Sequence, residues 1–283
     1  MPRLWYKRDV ATFGLVRLGE YRYPSSHSND RNPDKEPGMP HKELDQTLVL
    51  IKPDALKNSL TGYVLSLLSE YHTQLRFAGL KVVHVSRMLA EEHYAEHRDK
   101  VFFPVLVEYI RGRLHYPDQP HKQRVIAIVY QGPDAVQTVR EVCGPTNPLE
   151  AREQKPGCIR SLGTLVPIKN AEGEEVGQRM DNLIHASATP EEAEREIKLW
   201  FKPNEIPPFV RVYATHQSDR HFYYHNDRLL AEYAPGSICL LAPGDVAWES
   251  DWQSLQAVFA TQTPSTPLRS VVAKYLTNET AEE

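Results

Sequence analysis

Apolar positions recur along this chain with two different periods, and the switches between them mark its elements. In TLVLIKPDA, residues 47–55, a run of four apolar side chains stops at Lys52-Pro53-Asp54. That predicts a buried strand ended by proline. Over 60–78, Val64, Leu65, Leu68, Tyr71, His72 and Leu75 fall at helical spacing. KVVHVSRM (81–88) predicts a strand. Residues 90–97 and 102–111 predict helices parted by Phe102-Phe103-Pro104, and RVIAIVYQ (124–131) is a strand rich in β-branched residues. Gly132-Pro133-Asp134 then opens a helix over 134–143. Residues 144–181, rich in Gly, Pro and charge, predict a long loop, and NLIHAS (182–187) a short strand. Thr189-Pro190-Glu191-Glu192 reads as a capping box, with Thr189 at N-cap, Pro190 at the first helical position and Glu192 reaching back. Ala193, Ile197, Trp200 and Phe201 form the apolar face of the helix that follows.

Stripped of its extra helices, the order is βαββαβ. The expected fold class is α+β: a ferredoxin-like antiparallel sheet with helices on its faces, plus a small β-rich accessory region. Three segments are expected. Residues 1–45 form an N-terminal extension in which ATFGLVRLGEYRY (11–23) is a strand or hairpin and 24–45, with four prolines, is a linker. The sheet domain spans 46–202. In 203–283 the pattern predicts a hairpin over HFYYH, Asn226-Asp227 and RLLAEY, a strand in SICLLAP, and a helix over 250–260 with Trp252, Leu255, Val258 and Phe259 inward.

Composition narrows the partners. The 283 residues carry a formal net charge of −4, too little positive field to favour nucleic acid or an anionic membrane surface. Three scattered cysteines make neither a disulfide framework nor a zinc site and suit a reducing compartment. The N-terminus lacks the apolar core of a signal peptide, and no stretch is long enough for a membrane helix. The expected location is cytoplasmic.

Taken singly, Lys52, Tyr94, Phe102, Arg140, Thr146, Arg160, Asn182, His185 and Glu196 are ordinary residues of strand ends, helices and loops. Their setting is not. TLVLIKPDA, EEHYAEHRDKVFF, GPTNP, KPGCIR, NLIHAS and EREIKLWF occur in this order and on the expected elements. From about Gln46 to Lys202 the chain resembles the nucleoside diphosphate kinase family. The resemblance implies ping-pong transfer of a γ-phosphate from a nucleoside triphosphate to a nucleoside diphosphate through a phosphohistidine at His185. It implies that Lys52 contacts the transferred phosphate, that Tyr94 packs near that lysine, and that Phe102 stacks on the base. Arg140, Thr146 and Arg160 would hold phosphates, Asn182 the ribose 3′-hydroxyl, and Glu196 the histidine. Mg²⁺ would arrive on the nucleotide phosphates, with no metal held by the chain alone, and the protein would be a homo-oligomer.

The physical chemistry agrees. Phosphoryl transfer depends on positioning and charge neutralisation, which two arginines and a lysine supply. A neutral imidazole is a competent nucleophile, and a carboxylate on its other nitrogen fixes the tautomer.

The chain departs from the family pattern at Ala186 and Ala188, where glycine and aspartate are usual, and at Pro145. Two stretches, 112–123 and 161–181, are longer. These departures motivate an alternative, a non-catalytic nucleotide-binding or protein-interaction module with the same fold. A ferredoxin-like RNA binder is a third reading, disfavoured by the acidic balance.

Overall fold

Why Leu48, Val49, Leu50 and Ile51 are all apolar is answered by the two cores they face. The computed structural model describes residues 44–169 and 172–277. The first strand, β1 (Leu44–Ile51), is central and fully covered. Leu48 and Leu50 enter one core, Val49 and Ile51 the other. Alternate side chains of a strand point to opposite faces, so a strand covered on both reads as a continuous apolar run. Short helices α1 (Pro53–Lys57), α2 (Thr61–Leu67) and α3 (Glu70–Thr73) follow it, then β2 (Arg76–Val83). Next come α4 (Arg87–His93), a 3-10 turn (Ala95–His97), α5 (Phe103–Ile110), β3 (Val125–Pro133) and α6 (Ala135–Cys143). The order continues with α7 (Pro148–Gln154), β4 (Thr164–Lys169), β5 (Glu175–Asp181), β6 (Ile184–Ala186) and α8 (Pro190–Trp200).

Strands β2, β3, β1 and β6 pair in that order, antiparallel throughout, which is the ferredoxin-like arrangement. Helices α4, α5 and α8 cover one face through Leu89, Val107, Ile110, Ile197 and Trp200. Helices α1, α2 and α6 cover the other through Ala55, Val64, Ala135 and Val139.

Several expectations are corrected. The helix expected over 60–78 is two short ones, and the strand expected over 81–88 starts at Arg76. Ser69 caps α3 by accepting from His72 N, and Gln74, in the left-handed region at φ 60°, ends it. Tyr71, counted in the apolar stripe, is 91% exposed. Ser86 accepts from Leu89 N and so begins α4 inside the expected strand. Residues 144–181 are no loop. Asn147 accepts from Leu149 N and Pro148 takes the first position of α7, while β4 and β5 pair as a hairpin from Thr164↔Asp181. In α8, Thr189 accepts from Glu192 N as expected. Glu192, however, accepts from Ala188 N, one residue before the cap.

The C-terminal segment holds β7 (Thr215–Gln217), β8 (Phe222–His225), β9 (Arg228–Leu230), β10 (Ile238–Leu241) and β11 (Val246–Trp248), then α9 (Glu249–Phe259) and α10 (Leu268–Ala273). The β8–β9 hairpin turns at Asn226 and Asp227, both at positive φ, as a two-residue turn of that sequence requires. Trp252 and Leu255 point inward as expected. Val258 is half-buried, and Phe259 is exposed at the rim, its ring stacked on the buried Phe222 at 5.3 Å. Trp248 donates to Phe201 O at 2.7 Å and Gln46 to Val210 O at 2.7 Å. Trp248 and Ala273 belong to the same core as Trp200. The described residues all lie in one unit, Lys42–Glu283. The strand or hairpin expected over 11–23 lies outside the described residues. So does the linker over 24–45, save Leu44 and Asp45, which open β1.

Candidate active site

Strand β6 sets His185 opposite Leu50 at the edge of the sheet. Helix α8 returns over it, and Nε2 of His185 lies 2.9 Å from Glu196 Oε2. Ser187 donates to the same oxygen at 2.6 Å. Burial pushes the Glu196 carboxyl up. The charge and hydrogen bond of His185, together with His93 and Ser187, outweigh burial and bring it down to about 2. Glu196 is therefore a fixed anion at every physiological pH. The bond engages one of the two ring nitrogens of His185.

His93 closes the back of this arrangement. Its ring meets His185 edge-on, centroids 4.5 Å apart, and its Nδ1 accepts from Trp200 Nε1 at 3.3 Å. Burial, then the neighbouring His185, push its pKa well below the ordinary value, so it is a neutral wall. His93, His185 and Glu196 are the one grouping of metal-type donors among the described residues. His185 and Glu196 are hydrogen-bonded to each other, and His93 Nδ1 lies 3.7 Å from Glu196 Oε1.

A second group lies where β1 ends. Lys52 is buried, donates from Nζ to Asn182 Oδ1 at 2.7 Å and stands over the Tyr109 ring at 5.1 Å. Burial lowers its pKa to about 8, opposed by Asp54. Asn182 donates to Thr146 O at 2.9 Å. Arg160, also buried, donates to Gly144 O at 2.9 Å, to Ile184 O at 3.4 Å and to Thr146 Oγ1 at 3.5 Å. Burial lowers its pKa as well. Two buried cations side by side are expensive unless an anion offsets them.

Between the groups Leu183 adopts φ 70°, a left-handed conformation that costs an L-residue roughly 1 kcal/mol or more. It is held from both sides: its N donates to Asp54 Oδ2 at 2.8 Å and its O accepts from Lys52 N at 2.9 Å. The strain ties the lysine turn to the histidine strand.

The comparisons with known proteins bear on this geometry. A family model described as nucleoside diphosphate kinase matches residues 45–206. The chain belongs to the nucleoside diphosphate kinase family. It is 35% identical over 202 residues to the nucleoside diphosphate kinase of Thermococcus kodakarensis, covering 71% of this chain and 99% of that one. It is 39% identical over 174 residues to the Pyrococcus abyssi enzyme, covering 62% of this chain and 94% of that one. The solved Aquifex aeolicus nucleoside diphosphate kinase aligns at 32% identity and TM-score 0.46 over 58% of this chain and 100% of that chain. Membership makes this chain a phosphotransferase with nucleotides as partners. Among the described residues no helix is long and apolar enough to cross a membrane.

For a kinase of this family the expected residues fall into four sets. Lys52, Thr146, Arg160 and Asn182 are joined by hydrogen bonds, as are His185 and Glu196. Tyr94 and Phe102 lie on an arm between α4 and α5. Tyr94 is buried and stacks on His97 at 6.3 Å, and His97 meets Phe102 at 5.7 Å, while Phe102 is 49% exposed. Arg140 is exposed on α6, lining a cleft with Gly144, Pro145, Ala188 and Pro190.

The departure at 186 is accommodated by the backbone. Ala186 pairs with Val49 inside β6 and needs no positive φ; the left-handed residue is Leu183. Sequence reasoning missed His93, Ser187 and Asp54. The first is next to Tyr94 in EEHY and the last is in KPDA, so both stood inside the motifs. Ser187 gave no local signal. The two long stretches also meet: His115 Nε2 is 2.9 Å from Asp181 Oδ2, and Arg179 donates to Asp181 Oδ1 at 2.6 Å. Burial pushes the Asp181 carboxyl up, but these bonds hold it below the usual range.

Proposed function

We propose that this nucleoside diphosphate kinase works by ping-pong transfer through phosphohistidine at His185 Nδ1. The observation that carries the reading is the His185–Glu196 bond, which engages Nε2 and leaves Nδ1 as the nitrogen for attack. In the first half-reaction Nδ1 attacks the γ-phosphorus. The N–P bond forms as the bond to the β–γ bridging oxygen breaks, and nucleoside diphosphate leaves. In the second, a terminal oxygen of an incoming diphosphate attacks the phosphohistidine and restores the ring. Glu196 offsets the positive charge that the ring gains on phosphorylation. Lys52, Arg160 and Arg140 take the phosphate charge, Thr146 adds a hydroxyl, and Tyr94 keeps the lysine side of the pocket dry. Asn182 holds the ribose 3′-hydroxyl and Phe102 stacks on the base, a contact open to every base.

The donor set suits a metal carried by the nucleotide. The site's free charges are cationic, and the carboxylate beside Lys52, Asp54, is buried with one oxygen on Leu183 N. Mg²⁺ on the nucleotide phosphates would neutralise charge on the β- and γ-oxygens. A cytoplasmic location accords with the free Cys143, Cys158 and Cys239. We divide the chain into an extension over 1–45, a catalytic domain over 46–202 and an accessory segment over 203–283.

Incubation with γ-labelled ATP tests the reading: it should give an acid-labile, base-stable phosphoprotein that passes its label to GDP. Absence of label in the wild type overturns it. Glu196→Gln keeps a hydrogen-bonding side chain and removes the charge. It should slow single-turnover labelling by roughly 10- to 100-fold, less than loss of the nucleophile.

Homo-oligomerisation is supported by β2, an edge strand that exposes Phe77, Leu80 and Val82. Leu80→Glu with Val82→Lys should convert the oligomer to monomer by light scattering. An unchanged mass would place the contact elsewhere.

A further inference from the structure

The segment beyond Ile206 lies outside the residues that match the family model, yet it reaches back to the nucleotide arm. Helix α10 packs on α4, and Met88 at the start of α4 touches both the sheet core and the C-terminal core. On this contact Ser270 Oγ donates to Glu92 Oε2 at 2.5 Å. Arg269 donates from Nη2 to Glu91 Oε2 at 2.8 Å, and its Nε lies 3.5 Å from Glu92 Oε1. Glu92 is buried, and its other partner is the guanidinium of Arg98, which pairs with Oε1. Arg195 of α8 donates to the Glu92 backbone O at 3.3 Å. Arg98 begins the arm proper. From there backbone bonds run from Lys100 N to His97 O at 2.9 Å and from Phe103 N to Lys100 O at 3.0 Å. The His97 ring meets both Tyr94 and Phe102.

We propose that Ser270 and Arg269 on α10 are positioning residues for nucleotide binding, anchoring Glu92, and through it Arg98, at the root of the arm that carries Phe102. The physical reason is burial. A carboxylate on an open helix face pairs weakly with an arginine because water screens it. Covered by α10 and given a second donor, Glu92 has one orientation, and Arg98 has a fixed partner. Holding the arm before the nucleotide arrives removes an ordering cost from binding and leaves the chemistry at His185 untouched. The proposal rests on the reading of Phe102 as the base-stacking residue.

The test uses the full chain with Ser270→Ala plus Arg269→Met, and Phe102→Ala alone and combined with that pair. The pair should raise KM for nucleotides roughly 3- to 10-fold with kcat within about twofold of wild type. Arg269→Lys in place of Met should recover part of the loss. With ribose 5′-triphosphate as donor, which lacks a base, the penalty should vanish. In the Phe102→Ala background the pair should add little, because both act through one contact. An unchanged KM in the pair, or equal loss with the base-free donor, overturns the proposal. If Phe102→Ala itself leaves KM unchanged, the stacking reading fails; if it raises KM and the pair does not, the α10 anchor alone fails.

Discussion

His185→Ala should lose nucleotide turnover by about four orders of magnitude or more, with no phosphoenzyme formed from γ-labelled ATP. The loss is large because the proposed route has no substitute nucleophile. His93 is near in space but buried, neutral and bonded to Trp200, with its ring edge against His185. Glu196 stays ionised but lies behind the ring. The variant should still fold, since His185 is only partly buried and its neighbours Ile184 and Ala186 carry the packing of β6. A melting temperature close to wild type with no label would assign the loss to chemistry. Label retained on the alanine variant would remove His185 from its role. Binding gives a second readout: nucleotide should still quench or shift Phe102-side probes in the variant, because the groups proposed to hold phosphate and base are untouched.

Lys52→Met should lower kcat on the order of 10³-fold, the scale of removing one preorganised charge from a transition state. Methionine keeps the stem volume, so packing over Tyr109 survives. Nucleotide affinity should fall less than kcat, because Arg140 and Arg160 remain. The wild type carries a pH signature of the same residue. A lysine held near 8 is charged below that value and neutral above it. As pH rises through about 8, the free enzyme loses this cation, and kcat/KM should fall. Lys52→Arg, which stays charged, should move that fall to higher pH. A flat profile through pH 9 in the wild type would show that the lysine is not the group sensed.

Much of this site was legible because the motifs carry both residue type and spacing. Lys52 follows a strand, His185 sits on a short strand, and Glu196 comes eleven residues later on a capped helix. The fully buried runs of β1 and β3 also announced themselves. What stayed hidden depended on partners distant in the chain. Tyr71 looked apolar at helical spacing, yet it faces solvent once Gln74 turns the chain. Asn147-Pro148 reads as a turn and is equally a helix start; only the Leu149 N–H decides. The β4–β5 hairpin carries its apolar residues Leu165, Val166, Ile168, Val176 and Met180 on a partly exposed ribbon, amid the glycine and charge that read as loop. Ser187 is silent until α8 folds back and brings Glu196 within 2.6 Å. The accessory region over 203–283 gave no sign that Trp248 would be buried and donate to Phe201 O.

The bond between His115 and Asp181 carries a consequence for how such a chain changes over time. Each long stretch contributes one half of a covered pair. Cut out 112–123, and Asp181 keeps Arg179 but loses a partner in a covered place. Cut out 161–181, and His115 is left with an empty neighbour. For this pair alone, each single deletion leaves one polar group without its partner, a penalty of about 1–3 kcal/mol, whereas removing both stretches removes both halves of the pair. The two stretches are therefore coupled through this pair. A chimaera that receives only one of them should be less stable than either parent.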